Sequence, residues 1–494
     1  MALIPLQLPP GVYRNGTEMQ SAGRWFDANL VRWFENTIRP MGGWRKRSSS
    51  AVTGKARGIL AWEDNDGDPW VAIGTHTKLW VYRVDGTLAD ITPAGLTTGD
   101  ANASTKTGYG YGGYGLQPYG TERINLATIT PATTWALDTW GEYLVACSSA
   151  DGNIYEWQLD FTTPTVAAQI ANSPENCQSV MVTAERFIFA LGADGNPRKV
   201  AWCDQEDNTD WTPTTLNQAG DFELVTVGSL MAGKRVRGIN LLWTDDDCHS
   251  AQYIGQPFVY SFEKIGNGCG LIGKQAVTIV SDTSAFWMSN GGFWMYDGVV
   301  KPLQSDVSDY VFRNMNPAQS SKVFAMHNPK YGEVWWLYPS SASNEVDSYV
   351  LYNYREGHWN IGQLSRTCGT GAGAFDKPLM VGADGYLYEH EVGLINTSGD
   401  IYAESGPVQI AAGDNIMSVR EVIPDELNQG NVDLTFSTRY YPNGDEQDFG
   451  PYTTANPTSA RFSGRQIKMK LRQTENTDWR VGTMRLDAVA GGRR

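Results

Sequence analysis

The sequence predicts an all-β chain: a β-propeller of about six irregular blades, with a small C-terminal β domain or closing strands and very little helix. Three observations carry this expectation. First, a turn, an alternating aromatic strand and a second turn recur as "THTKLWVYRVDG" (75–86), "SADGNIYEWQL" (149–159), "NGGFWMYDG" (290–298), "YGEVWWLYP" (331–339), "SYVLYNYREGHWNIG" (348–362) and "GADGYLYEHE" (382–391). Each alternates apolar and polar positions between Gly, Asp or Asn turn residues. Second, a short apolar strand precedes most of them ("PWVAIG", "EYLVACS", "SAFWMS", "PLMVGA"), so the repeating unit is a hairpin. Hairpins recurring at roughly 40–75 residues, without intervening helices, read as propeller blades. Third, 18 Trp, 23 Tyr and 53 Gly with only 19 % charged residues favour strands and turns over helices.

With 494 residues the chain exceeds one ordinary core, so either several domains or one large repetitive architecture is expected. The organisation read from the sequence is an N-terminal strap with first strands (1–50), a propeller (51–405) and a C-terminal β domain (406–494) contributing to ring closure or subunit contacts.

The opening "MALIPLQLPPG" lacks a cationic leader and is broken by Pro5, Pro9 and Pro10, so it does not read as a signal peptide. It is followed by a basic aromatic ribbon, "RWFDANLVRWFENTIRPMGGWRKR" (24–47), in a chain of net charge -15. Three readings apply. Trp side chains enter the core while Arg side chains reach outward, with Asp27 and Glu35 available to Arg24 and Arg32; or the ribbon contacts a subunit or partner; or it is a nucleic-acid arm of stacking rings and cations. Residues 101–120, "ANASTKTGYGYGGYGLQPYG", read as a long exposed loop, either an insertion or a contact tip presenting Tyr109, Tyr111 and Tyr114. "SDVSDYVFRNMN" (305–316) is the one convincing helix, with Ser305 as N-cap, and is expected to bridge two blades. Beyond residue 406 the strands lengthen and lose the Asp-Gly hairpin. Residues 461–494 carry nine basic side chains, among them Arg465, Lys468 and Lys470, against three acidic ones, a net of +6.

Motifs that suggest chemistry fail on context. In "GNGCGLIGKQ" (266–275), Gly268, Gly270 and Gly273 spell GxGxxG, but a strand-like "QAVTIV" follows instead of the helix a phosphate needs, and Gln275 stands where magnesium requires Ser or Thr. "DNDGD" (64–68) lacks the closing Glu of a calcium loop, Thr75 standing there. Five scattered histidines show no metal spacing, and no cofactor is expected. "TDDDCHS" (244–250) reads as a polar loop, since neighbours on a strand face opposite ways. The six cysteines lie far apart, as isolated reduced thiols of a protein assembled in a cytosol would. No apolar run is long enough to span a membrane.

"SAGRWFDANLVRWFENTIRPMGGWRKR", "YGYGGYGLQPYGTER", "RKVAWCDQEDNTDWTP" (198–213), "IGNGCGLIGKQAV", "SDVSDYVFRNMNPAQSSKV", "LYNYREGHWNIG" and the ending "WRVGTMRLDAVAGGRR" resemble tail proteins of tailed bacteriophages. In architecture the chain is similar to the tail nozzle, or packaged-DNA stabilisation, proteins of short-tailed phages. That resemblance implies a structural virion protein: a homohexameric ring below the portal and adaptor that surrounds the DNA exit channel, retains packaged DNA and docks tail fibres or spikes. It implies a location in the virion tail after assembly in the host cytoplasm, only transient, non-specific passage of duplex DNA, and no catalytic residues. Six copies at -15 each would line such a channel with charge that repels phosphate. The basic segments would then meet acidic neighbours, which makes Arg32, Trp33, Arg45, Lys46, Arg47, Arg465, Lys468 and Lys470 the candidate contacts, with the three loop tyrosines. The competing readings are a receptor- or glycan-binding propeller at the tail tip and, behind it, a polysaccharide-degrading enzyme.

Overall fold

The alternating hairpins resolve, in a computed structural model, into seven four-stranded antiparallel sheets arranged as the blades of a propeller. The structure describes residues 3–105, 129–160, 166–394, 400–409, 415–427, 430–454 and 457–492. Blade 1 begins at Ala56–Glu63, blade 2 at Trp135–Trp140, blade 3 at Ser179–Val182, blade 4 at Leu230–Val236, blade 5 at Val277–Val280, blade 6 at Phe324–Asn328 and blade 7 at Arg366–Thr370. In each sheet this first strand lies innermost, and all seven line one axial cavity. The count is seven where the recurring hairpins suggest about six. Two of those hairpins (331–339 and 348–362) belong to the single blade 6, whereas blades 3 and 4 contain none of them.

Strand periodicity explains how each blade holds both neighbours. In Tyr143–Ser148 of blade 2, Leu144 and Ala146 join the cluster shared with blade 1 while Val145 and Cys147 join the one shared with blade 3. Successive side chains face opposite ways, so one strand feeds two cores. Buried indoles add a polar tie between blades: Trp135 Nε1 donates to the Thr75 carbonyl (2.6 Å), Trp336 Nε1 to Ala276 (3.1 Å) and Trp62 Nε1 to Glu142 (2.9 Å). Room for Trp135 comes from Gly74, where an added Cβ would lie 2.3 Å from the indole. Gly74→Ala is therefore expected to cost about 1–3 kcal/mol through forced repacking, read as a lower unfolding midpoint together with an altered tryptophan emission spectrum.

The C-terminal region is a sandwich completed by N-terminal strands. One sheet orders Leu3–Leu6, Met484–Ala490, Met417–Ile423 and Thr458–Gly464; the other orders Trp25–Asn29, Tyr402–Ser405, Gln466–Gln473, Val432–Arg439 and Gln447–Thr453. Val432, Leu434 and Phe436 point inward at alternate positions, and Phe436 stacks on Phe462 of the facing sheet at 4.7 Å.

Residues 3–46 thus serve both halves. After entering the two sandwich sheets the chain forms a hairpin, Val31–Phe34 with Thr37–Pro40, whose turn residues Glu35 and Asn36 both have positive φ (52° and 59°), the twist-compatible hairpin turn. Trp44–Lys46 then pairs with Leu387–His390 as the outermost strand of blade 7. The N- and C-terminal basic strands therefore do not complete one blade together; blade 7 is closed by the N-terminal strand alone, and the C-terminal strands stay in the sandwich.

The helix is present as Ser308–Asn314, between blades 5 and 6, but Ser305 is not its cap. Val307 occupies that position without a side-chain bond, and the Ser305 hydroxyl instead accepts from the Val307 N–H (3.2 Å) in a local turn. The segment also anchors the strap, since Asn15 Nδ2 donates to the Ser305 carbonyl (2.6 Å) and Arg24 pairs with Asp306 (2.8 Å). No helix among the described residues is long and apolar enough to cross a membrane.

Candidate interaction surfaces

Arg32 is not a surface contact. Its side chain is 2 % exposed and forks between Glu333 (2.9 and 3.0 Å) and Glu391 (3.0 and 2.5 Å), beneath the ring of Tyr331 at 3.7 Å. Burial pushes the Glu333 carboxyl upward; at Glu391 burial acts the same way, but Arg32 and the Gly42 N–H outweigh it and hold that carboxyl below its usual range. The partners expected from sequence are also replaced: Arg24 binds Asp306, Asp27 binds Arg14, and Glu35 lies 4.0 Å from Arg39. Trp33 is buried against Trp25 (5.9 Å between centroids) and the His358 ring.

Arg45, Lys46 and Arg47 form the propeller latch. Arg45 and Arg47 both reach Glu389 (2.7 and 3.4 Å), while Lys46 approaches Asp384 (3.5 Å) and lies over the Tyr386 ring (3.5 Å). Their acids sit on the adjacent strand or hairpin of blade 7, so the basic ribbon pairs within its own chain.

The C-terminal cations are neutralised similarly. Along Gln466–Gln473, Ile467, Met469 and Leu471 face the core, which leaves Lys468 and Lys470 on the other face. Lys468 contacts Glu446 (2.7 Å), Glu18 (2.9 Å) and Glu404 (3.7 Å), and Lys470 lies 3.5 Å from Glu404, its cross-strand partner. Arg465 lies over the Tyr441 ring at 5.5 Å. Glu18, a strap residue, also binds Arg439 (2.8 Å); burial pushes its carboxyl up, yet Lys468 and Arg439 hold it low. Tyr109, Tyr111 and Tyr114 fall outside the described residues. The base of their loop is clamped by Gln319, which exchanges two hydrogen bonds with the backbone of Ala103 (2.9 and 3.0 Å).

Within 244–250, read from the sequence as a polar loop, Asp247 and His249 form a contact that the sequence did not reveal, Asp247 lying just before the strand Cys248–Gly255. Asp247, fully buried, accepts from Thr226 (2.8 Å), Thr244 (2.6 Å), His249 Nε2 (3.0 Å) and Lys264 Nζ (2.5 Å). Burial works against its charge, but these donors hold the carboxyl low, and burial pushes the His249 imidazole down. With its oxygens this fully engaged, Asp247 ties the connection between blades 3 and 4. Cys248, between them, is buried with its thiol pushed well up. All six cysteines are free and buried. Among the described residues no group of three or more His, Cys, Asp or Glu could hold a metal.

Large apolar side chains are exposed at several places among the described residues, and the three most exposed belong to blades 3 and 4. Leu216, Val225 and Val227 are 94, 85 and 92 % exposed, with Phe222, Ile254 and Phe258 also open to solvent. All six lie on the outer strands and loops of blades 3 and 4. The axial cavity, by contrast, measures only about 220 Å³, far too small to admit a nucleic-acid duplex.

No family model matches the chain, and no curated protein matches it. Among solved structures it is similar to the selenomethionine-substituted virginiamycin B lyase from Staphylococcus aureus, with 6 % sequence identity and a TM-score of 0.45, over 70 % of this chain and 99 % of that one. The propeller assignment rests on the sheets themselves.

Proposed function

We propose that this chain is a non-catalytic structural subunit of a short-tailed phage tail. Six copies form a ring below the portal and adaptor, around a DNA exit channel, and the ring retains packaged DNA and carries fibres or spikes. The observation that carries this reading is the exposed pair Val225 and Val227 on the connection between blades 3 and 4, in a chain whose candidate cations meet partners within their own fold. Exposed apolar surface marks contact sites, so copy-to-copy contact is proposed at this connection and not at the basic strap. The small axial cavity supports the same view: DNA would pass through the centre of the assembled ring, and the acidic balance of each copy would keep it from binding there.

Electron microscopy of the native particle with symmetry analysis tests the ring. A sixfold ring with an open axial channel is the expected result; monomers or trimers at a fibre tip would overturn it in favour of receptor binding. In parallel, native mass spectrometry of the purified chain should show oligomers that dissociate in the Val225→Asp/Val227→Asp variant. An unchanged oligomer would remove this connection from the interface.

A further inference from the structure

We propose that the propeller axis holds a compact oxyanion between Lys234 and Lys274. The axial cavity is lined by the first strands of all seven blades and by the connection into blade 5. That connection is the glycine-rich stretch whose GxGxxG spacing found no use above. It brings Gln275 across the axis, where Nε2 donates to the carbonyls of Arg57 (2.5 Å) and Trp135 (3.0 Å) on blades 1 and 2. The Gln275 carbonyl accepts from the Ala325 N–H of blade 6 (2.8 Å). Beside it, Lys274 Nζ donates to the carbonyl of Gln178 (2.6 Å) and to its side-chain oxygen (3.1 Å), next to blade 3. Lys274 and Gln275 thus link five blades around the axis.

In a chain with net charge -15, the only charged side chains lining this cavity among the described residues are Lys234 and Lys274. Lys274 has a third N–H to offer. Lys234 makes no hydrogen bond or ion pair among the described residues. Ser179, Thr278 and Thr370 add hydroxyl donors to the wall. The acid nearest in sequence on these strands, Asp138, is occupied by the Val182 N–H (2.8 Å) and Arg235 (3.7 Å). Innermost strands also turn an unpaired backbone edge toward the axis, which supplies further N–H groups. Burial pushes the Lys274 ammonium down to about 8, the signature of a cation that lacks a counter-charge. The cavity's 220 Å³ falls below the ~300–1,000 Å³ of sites for larger ligands, so the fitting chemistry is a phosphate or a small carboxylate.

The test is isothermal titration of the full chain with inorganic phosphate and, separately, citrate, at constant ionic strength. The expected result is saturable binding of at least one, weakened about tenfold or more in Lys234→Met, the loss of one charge-assisted contact. Phosphate binding without citrate assigns the site to phosphate, and the reverse assigns it to carboxylates. Lys234 has no hydrogen-bond or ion-pair partner among the described residues, so its removal is expected to leave the blades intact, and an unchanged circular dichroism spectrum checks this. Lys274→Met is the second variant. No saturable heat with either anion overturns the proposal, as does full affinity in both variants. A rise in unfolding temperature alone is not accepted as binding, because phosphate raises it by exclusion from any protein surface. A rise that survives in both variants counts against the site.

Discussion

Arg32→Ala is expected to lower stability by about 3–5 kcal/mol, because it strands two buried carboxylates rather than removing a surface charge. Glu333 and Glu391 are 1 and 10 % exposed and share this one guanidinium. Arg32→Lys should rescue poorly, since an ammonium cannot form the fork that meets both acids. The effect also carries a pH signature. In the wild type, Glu391 is held below 4.5, so its contribution is present above that value and lost as pH falls through the depressed one. In the alanine variant both acids are buried without a cation, and their folded pKa values rise above the unfolded ones. Their protonated forms are then the stable ones, and the penalty grows as pH rises through those raised values. Denaturant unfolding at pH 7 and near pH 4.5 should therefore show the gap between wild type and variant narrowing at the lower pH. A constant gap would mean that the lost packing of the side chain, and not its charge, holds this region.

Replacing Arg45, Lys46 and Arg47 together by Glu should open the propeller. The change sets three acids against Glu389 and Asp384 and turns each attraction of the latch into a repulsion. Arg45 and Lys46 are half or more exposed, so each alone is worth well under ~1 kcal/mol; Arg47 and Glu389 lie deeper, and the three changes act on one short strand. Limited proteolysis is the direct measurement, with new cleavage expected between residues 43 and 55 and in the blade 7 hairpins. Read as subunit contacts, as the sequence suggests, the three cations could be reversed with the monomer still folded and only assembly failing. The observed pairing makes damage within the monomer the expected result, and a protease-resistant monomer that fails to assemble would restore the earlier expectation.

What the sequence revealed was local. Blades 1, 2, 5, 6 and 7 announce themselves because their hairpins turn on Gly, Asp or Asn between alternating aromatics. Blade 3 hides its unit because a long connection separates Lys199–Trp202 from Gly220–Glu223. Blade 4 turns through Arg237 and Gly238 without that signature. The ribbon at 24–47 could be read as buried tryptophans beside paired arginines, but not as a latch. The acids that meet Arg24 and Arg32 lie 282, 301 and 359 residues away, and no periodicity encodes contacts at that range. The surplus of cations at 461–494 misled for the same reason: counted in a window, it omits Glu18, Glu404 and Glu446, which arrive from other parts of the chain. The exposure of Val225 and Val227 went unread because isolated valines between polar residues look the same whether they end inside or outside.

The order in which the chain leaves the ribosome gives the latch a further meaning. The N-terminal strands Leu3–Leu6, Trp25–Asn29 and Trp44–Lys46 emerge long before their partners, which begin at Met484, Tyr402 and Leu387. Until those are made these strands must wait, with their pairing edges unmet. Blades can nucleate one after another behind them, but the propeller closes only once Leu387–His390 is made, and the sandwich only once Met484–Ala490 is made. A prematurely terminated product would lack the partners of its own N-terminus and would remain open to proteases. The topology thus makes closure of both halves wait on strands far downstream, at the cost of slow, long-range pairing.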